Sequence, residues 1–387
     1  FAESVSFSAA NAEQDIIIGN ASPTPGLDIS VSDLRAARSA NQIQVGSPDS
    51  NGNVTVATEL PMLPVSIDIQ GGRELISDID STIFQIIDTT SGYLDNVLVT
   101  FSNIEAFTSN GSGINILSYQ HFTGPTPTIN IDTLSNIQSI VGKDDGNGIL
   151  QGTAGNNQWH IEQHNAGTIN DITFSNFDTL LGGANEDTFH FYSGGIIDNL
   201  IDGSSGNNTL NYSLYGTGVE ILLGDVNSEL NSINAFQNIS SVVGSHQLTD
   251  TILGSNTYDH FNITGNRSGT VEYIANNSSL ELSFSDIDIL KGGDGTDTFT
   301  LDKTLSALET PSGISIEGDG RDDKASLSQN HLVVEGDTAT SWLLTAENEG
   351  TVEQNEHPLV SFSGISDLVG TGATNTAHRV VFTNSNA

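Results

Sequence analysis

Residues 284–301 read Phe-Ser-Asp-Ile-Asp-Ile-Leu-Lys-Gly-Gly-Asp-Gly-Thr-Asp-Thr-Phe-Thr-Leu, and this stretch contains three short phrases that recur along the chain. The second phrase is a short apolar run that ends in glycine, and the third is a Gly/Asn/Asp-rich turn that leads into a strand-like segment. The first, which we call the Phe-Ser-Asn-Ile phrase, occurs at 101–104, 134–137, 174–177, 236–239, 284–287 and 362–365. Such self-similarity predicts stacked structural repeats.

The spacing of the phrases selects among repeat folds. Successive copies begin 33, 40, 62, 48 and 78 residues apart, whereas the blades of a propeller have nearly constant length. A solenoid tolerates uneven coils because insertions leave it as loops. We therefore expect an all-β, right-handed parallel β-solenoid (β-helix), with the hand taken from the crossover rule. An array of antiparallel β-sandwiches is the alternative. Each coil is expected to cover the apolar side of its neighbour, so that the phrases form one stacked column.

The first part of the chain has a different composition. Five of the nine prolines lie within the first 64 residues, and the one clear helical signal is Ser32–Arg38, with Ser32 as the expected N-cap. We therefore predict an irregular N-terminal region at 1–95, acting as a cap or junction, and a solenoid repeat domain at 96–387.

Charge and cysteine content exclude several function classes. The 387 residues include 10 Lys and Arg against 48 Asp and Glu, a formal net charge of −38. Nucleic-acid binding needs clustered basic residues, and no apolar run approaches the roughly 18 residues of a membrane span. The chain has no cysteine and opens Phe-Ala-Glu-Ser without a basic or apolar leader. We expect a mature or excised piece of a secreted bacterial protein at the cell surface.

The glycine-rich turns resemble a known repeat. Residues 292–300 match the nonapeptide Gly-Gly-x-Gly-x-Asp-x-apolar-x at every defined position, and residues 182–190 depart only at Asn185. The copies at 152–160 and 203–211 carry Asn at the aspartate position, and the copy at 254–262 keeps the aspartate but loses glycines. The chain from about 140 to 330 thus resembles degenerate RTX-type repeats. It is similar to the Gly-Asn-Asp-rich repeats of large bacterial secreted surface (adhesin-like) proteins.

This resemblance implies calcium as a cofactor. Glycines allow tight loops whose carbonyls turn towards a cation, and aspartate adds the hard anionic oxygen that Ca²⁺ prefers. In the family the ion lies between tandem copies, whereas the copies here are isolated, and corner turns of any solenoid also favour Gly and Asn. Structural turns therefore remain the alternative. The candidate metal ligands are Asp294, Asp297, Glu186, Asp187, Asp319, Asp322 and Asp323.

The sequence predicts a non-enzymatic structural or adhesive protein of the cell surface or extracellular matrix. Its acidic solenoid would associate head-to-tail into fibres with Ca²⁺ support, or bind host or matrix glycans. The alternative is a polysaccharide-acting β-helix lyase, hydrolase or epimerase. Scarce basic residues and a field of −38 disfavour a cleft that degrades polyanions, and an enzyme claim would rest on fold analogy alone.

Overall fold

The computed structural model describes residues 3–19, 26–57, 60, 65–95, 97–224, 228–230, 232–246, 248–275, 277–303, 305, 313–318, 329–336, 340–354, 356–371 and 379–382. The chain divides into two compact units, which comprise residues 1–154 with 165–181, and residues 155–164 with 182–387. The protein is all-β, and its strand pairs are mostly parallel. The predicted boundary near residue 95 stays a prediction.

The elements up to the second unit follow in chain order. They are β1 (Ser4–Phe7), β2 (Ile16–Gly19), β3 (Leu27–Ser30), α1 (Val31–Ala36), β4 (Gln42–Gly46), β5 (Val54–Val56), β6 (Ile67–Ser77), β7 (Ile83–Ile86), β8 (Gly92–Leu94), β9 (Val99–Ser109), β10 (Ile116–Ser118), β11 (Thr128–Asn130), a 3-10 turn (Ile131–Thr133), β12 (Leu134–Ser135), β13 (Ser139–Val141) and β14 (Ile149–Gln151). Next come β15 (Asn157–Gln163), which belongs to the second unit, β16 (Ala166–Ile169) and β17 (Ile172–Ser175) of the first, and β18 (Thr179–Gly183), which contains the boundary.

The remaining strands all belong to the second unit. They are β19 (Asp187–Tyr192), β20 (Ile197–Ser204), β21 (Thr209–Leu214), β22 (Glu220–Leu222), β23 (Ser228–Leu230), β24 (Ile233–Gln237), β25 (Ser241–Val243), β26 (Thr251–Leu253), β27 (His260–Gly265), β28 (Ser268–Ala275), β29 (Ser278–Ser285), β30 (Ile289–Lys291), β31 (Thr298–Leu301), β32 (Ser315–Glu317), β33 (His331–Glu335), β34 (Thr340–Ala346), β35 (Glu349–Gln354), β36 (His357–Ser363), β37 (Asp367–Thr371) and β38 (Arg379–Phe382).

Parallel strand ladders organise the second unit. In one ladder β15, β19, β21, β25 and β29 pair in succession, and paired residues lie 30, 21, 32 and 42 positions apart. A second ladder joins β27, β31, β33 and β37, and a third joins β22, β26, β30, β32 and β36. These ladders are parallel, so the antiparallel alternative does not describe them, and the uneven offsets match the irregular spacing of the phrases.

Alternate residues of these strands form the core. Trp159 stacks on Phe189 with ring centroids 5.5 Å apart, and Phe261 stacks on Phe299 at 4.8 Å. All four side chains have no exposed area. Because parallel pairing in register places like positions over one another, the same inward position supplies both members of each stack.

The first unit has the same kind of pairing. Strands β1, β4, β6, β9 and β12 pair in parallel succession, as do β7, β10, β13 and β17. The long strand β6 pairs with β4 through its first half and with β5 through its second, on either side of Gly71 and Gly72. The N-cap of the helix is Ser30, two residues earlier than expected, because the Ser30 hydroxyl accepts the Asp33 N–H; the prediction of Ser32 as the cap is wrong.

Each Phe-Ser-Asn-Ile phrase marks a left-handed residue. Its third position has a φ between 54° and 66° in all six copies, at Asn103, Asn136, Asn176, Asn238, Asp286 and Gly364. Asn, Asp and Gly are the residues that tolerate this conformation. The phenylalanines of five copies are buried, as expected, whereas Leu134 is half-buried. The prediction of one column is wrong, since Phe284 lies in a different sheet from Phe236 and Phe362.

Five copies of the phrase lie on the return strand of an antiparallel hairpin. The hairpins are β8–β9, β16–β17, β23–β24, β28–β29 and β35–β36. In four of them a glycine faces the phenylalanine across the hairpin, as Gly269 faces Phe284. A Cβ on Gly269 would lie 2.9 Å from the Phe284 ring, so the ring covers the glycine. These hairpins account for part of the uneven coil length.

Candidate cation sites in the buried polar rows

The aspartate of the glycine-rich motif lies inside the second unit, where it links neighbouring parallel strands. The backbone N–H of Asn157 donates to Oδ1 of Asp187 at 2.8 Å, and the N–H of Asp187 donates to Oδ1 of Asn208 at 2.9 Å. All three side chains are fully buried. We call these residues the Asn157 row. Each stands at, or directly before, the first residue of a strand, and the side chains of Asp187 and Asn208 each accept the backbone N–H of the preceding row residue.

A second row has the same geometry. The N–H of Asp259 donates to Oδ1 of Asp297 at 3.0 Å, and the N–H of Asp297 donates to Oδ1 of Asn330 at 2.8 Å. These residues, the Asp259 row, are also fully buried. Aspartate and asparagine therefore perform the same acceptor function, and asparagine at the aspartate position preserves the linkage.

The first glycine of the motif makes room for this side chain. A Cβ on Gly182 would lie 2.3 Å from Asp187 Oδ2, and one on Gly292 would lie 2.4 Å from Asp297 Oδ2. Gly203 stands in the same relation to the amide nitrogen of Asn208, at 2.4 Å. The spacing of five residues from glycine to Asp or Asn is thus a packing requirement of the row.

The second polar atom of each row side chain faces backbone carbonyls. Asn208 Nδ2 donates to the carbonyl oxygens of Gly203 at 2.8 Å and Asn238 at 3.0 Å, and Asn330 Nδ2 donates to that of Gly318. In the aspartates this atom is an oxygen: Oδ2 of Asp259 accepts the Ser255 N–H at 2.7 Å, whereas Oδ2 of Asp187 and of Asp297 has no hydrogen-bond partner among the described residues. A bound proton or a bound cation would each satisfy such an oxygen.

Burial makes these carboxyls weak acids. It raises the pKa of Asp297 to about 8. The neighbouring charges of Asp259 and then Asp294 also raise this pKa, whereas the hydrogen bond from the Asp259 N–H lowers it. Burial also raises the pKa of Asp187, but the two hydrogen bonds from Asn157 oppose it. The geometry and the electrostatics therefore agree that a proton on Oδ2 of Asp297 is favourable at neutral pH.

The predicted metal ligands fall into three groups. Asp187 and Asp297 are buried in the rows, while Glu186 and Asp294 are exposed. Asp319, Asp322 and Asp323 lie outside the described residues. Among the described residues no group of three or more His, Cys, Asp or Glu side chains is arranged to hold a metal ion. The calcium ligands stay predictions.

The sequence predicts hydrogen-bonded ladders of asparagines at matching turns, Asn157 and Asn208 among them, but it gives no role to Asn330 or to one basic residue, Arg267. The Arg267 guanidinium lies 2.9 Å from both carboxylate oxygens of Asp288, 3.7 Å from the buried carboxylate of Asp250, and donates to the Asp286 carbonyl at 2.9 Å. Asp250 Oδ1 in turn accepts the N–H of Val219 at 2.8 Å. The positively charged Arg267 side chain thus lies beside the buried carboxylate of Asp250. The five-residue spacing from a glycine is a usable signal for Asn157 and Asn208, whereas Asn330 and Arg267 have no such signal.

Comparison of the chain with family models, with curated proteins and with solved structures finds no match. Within the described residues no helix is long and apolar enough to cross a bilayer.

Proposed function

We propose that this chain is a secreted, non-enzymatic structural or adhesive protein of the cell surface or extracellular matrix, whose units are right-handed parallel β-solenoids. The observation that carries the proposal is the pair of buried polar rows, which link successive coils by backbone-to-side-chain hydrogen bonds. In such a fold the buried polar groups join successive coils. This suits a protein that resists mechanical unfolding and presents a repetitive surface.

The strand edges support head-to-tail association as the route to fibres. Within the described part of the chain, β1 pairs only with β4, and β37 pairs only with β33. Each edge strand offers unpaired backbone donors and acceptors that a second copy can extend. The acidic surface opposes this association by repulsion, and we propose that Ca²⁺ screens it. The proposed ligands for bound ions form three groups: Asp294 with Asp297, Glu186 with Asp187, and Asp319 with Asp322 and Asp323, of which the last group lies outside the described residues.

Sedimentation velocity and electron microscopy of the full chain test the assembly. We expect particles that lengthen with protein concentration and with millimolar Ca²⁺, and that revert when EGTA is added. A Ser6→Pro substitution in β1 removes a backbone N–H that points away from β4 and should shorten the particles, while Leu368→Pro does the same in β37, where Asp367 and not Leu368 donates to β33. Short particles of constant mass under all these conditions would refute the fibre proposal.

A polysaccharide panel tests the non-enzymatic role. Incubation with neutral, acidic and amino polysaccharides should release neither reducing ends nor unsaturated uronates. Catalytic release of either product, proportional to protein concentration and time, would replace the scaffold proposal by the enzyme alternative.

A further inference from the structure

A cavity of about 440 Å³ opens on the first unit. It is lined by residues 48–51, Gly72, Thr90, Asn103 and Glu105. Its volume lies in the range of roughly 300–1,000 Å³ that holds small organic ligands and exceeds the space of a single ion. Nearly all of the lining side chains are polar.

The Ser47–Ser50 turn and Gly72 of β6 border this cavity. The Ser47–Ser50 turn is closed by the Ser50 N–H, which donates to the Ser47 carbonyl at 2.9 Å. This turn lies so close to β6 that a Cβ on Gly71 would meet the Ser47 carbonyl oxygen at 2.1 Å. Gly71 has a φ of 76° and Gly72 one of 149°, conformations that glycine adopts readily. A Cβ on Gly72 would lie 3.1 Å from the Val54 side chain and 3.2 Å from that of Ile104, on the buried side of the strand, so Gly72 borders the cavity with its backbone.

The opposite wall comes from the Phe-Ser-Asn-Ile phrase of β9. Gly72 pairs with Ile104, whose side chain is buried, and the flanking Asn103 and Glu105 are exposed on the cavity side of the strand. The Thr90 carbonyl accepts the Ile104 N–H at 3.3 Å, which attaches the β7–β8 hairpin to this wall. Backbone hydrogen bonds therefore fix the positions of the polar residues that line the cavity.

The lining chemistry selects the ligand. Asn103, Ser50 and Thr90 provide amide and hydroxyl groups that both donate and accept, which suits a ligand with several hydroxyls. None of the ion pairs between described residues involves Asp49 or Glu105. In a chain of net charge −38, these two carboxylates repel an acidic sugar and attract a cationic one.

We propose that this cavity binds an amine-bearing sugar, a hexosamine unit of a polysaccharide, whose ammonium lies between Asp49 and Glu105 and whose hydroxyls bond to Asn103, Ser50 and Thr90. The inference rests on the proposed extracellular role only for its biological setting, because it gives that role a glycan partner. The binding itself is measured without reference to assembly.

Ligand-observed NMR titration of the full chain with the β-1,4-linked disaccharide of glucosamine tests the site. We expect saturable binding that weakens about tenfold or more in Glu105→Gln and in Asp49→Asn. The N,N′-diacetylated disaccharide and cellobiose, which lack the ammonium, should bind at least about fivefold more weakly. The same variants should keep the thermal midpoint of the parent, since both side chains are exposed.

Glu162→Gln and Glu220→Gln are the matched controls, because each removes one exposed carboxylate from the second unit. They should bind the disaccharide as the parent does. Equal weakening in these controls would mean diffuse attraction to an acidic protein, and equal binding of the acetylated sugar would mean that the amine is not recognised. Either result, or the lack of saturable binding, overturns the inference and leaves the scaffold proposal to its own assembly measurements.

Discussion

The Asn157 row and the Asp259 row use the same backbone hydrogen bonds but differ in the residue that precedes the central aspartate. In the first row this residue is Asn157, whose side-chain amide donates to Asp187 Oδ1 at 2.7 Å in addition to its backbone N–H. In the second row it is Asp259, whose carboxylate provides no donor and whose charge raises the pKa of Asp297. One amide in place of one carboxylate thus changes the protonation of its neighbour.

This difference shows why two of the five copies of the motif carry asparagine. A buried carboxylate is costly without partners for both oxygens, whereas an amide donates with one end and accepts with the other. Asn208 and Asn330 use this capacity fully, because their Oδ1 accepts a backbone N–H and their Nδ2 donates to carbonyls. Asp187 and Asp297 match them only when Oδ2 carries a proton or contacts a cation.

The largest expected effect is that of Asp297→Asn at alkaline pH. Because the folded-state pKa of Asp297 is about 8 and the ordinary value is 3.8, the folded chain holds a proton that the unfolded chain releases. The free energy of unfolding therefore falls as the pH rises from about 4 to about 8, and is not reduced by this group below about 4. Asparagine removes that loss and should stabilise the second unit by about 3–5 kcal/mol at pH 8.

Urea unfolding of parent and variant between pH 4 and pH 9 measures this difference. Asp294→Asn removes one exposed carboxylate from the same turn and is the matched control for net charge. The gain from Asp297→Asn should shrink towards zero near pH 4. A gain that does not change with pH, or one equalled by Asp294→Asn, contradicts a buried, protonated Asp297.

Gly292→Ala and Gly182→Ala should have the next largest effect, and an equal one in both rows. Their Cβ atoms would lie 2.4 Å and 2.3 Å from the row carboxylates, so the side chain has to move and the coil-to-coil hydrogen bond is strained. We expect a loss of about 3 kcal/mol each. Gly146→Ala, where no atom lies within 4 Å of the new Cβ, should cost about 1 kcal/mol for its φ alone. Thermal unfolding of all three variants decides whether the rows share one packing rule.

Asn157→Asp converts the first row into a copy of the second. The new carboxylate lacks the amide donor to Asp187 and brings a second charge beside it, so the pKa of Asp187 should rise further. We expect a loss of about 2 kcal/mol at pH 8, and a smaller loss at pH 4, because burial raises the pKa of Asp187 and a lower pH favours the uncharged form of both carboxyls. Asn147→Asp adds the same charge at an exposed turn and should leave the unfolding free energy nearly unchanged. Similar losses at both pH values would show that shape, not charge, distinguishes the rows.

The sequence predicted the all-β class from features that are local in the chain. The left-handed Asn of the Phe-Ser-Asn-Ile phrase and the alternation of buried residues after each turn are of this kind. The sequence did not predict the hairpins, because their strands have the same residue pattern as the strands of the parallel ladders. The pairing of Gly269 with Phe284 is visible only once the two strands are placed side by side. The role of Asp297 was missed for another reason. The sequence of a glycine-rich turn is the same whether its aspartate points outward to an ion or inward to the neighbouring strand. Only the register of the strand pairing determines which way the side chain points.

Calcium should give the smallest effect, and it sharpens the comparison because a cation and a proton compete for the same oxygen of Asp297. An ion bound there needs the ionised carboxylate, so any stabilisation should grow as the pH rises past about 8. At a Ca²⁺ concentration ten times its dissociation constant, mass action gives about 1.4 kcal/mol. This corresponds to a rise of roughly 1–3 °C in the thermal midpoint of a chain of this size. We expect that rise at pH 8.5 relative to EGTA, little of it at pH 6, and none in Asp297→Asn, with Mg²⁺ as the control ion.

A rise in the thermal midpoint that is also seen in Asp297→Asn would mean that the ions bind elsewhere. No rise at pH 8.5 means that the proton alone satisfies Oδ2, and the calcium prediction at Asp294 and Asp297 is then wrong.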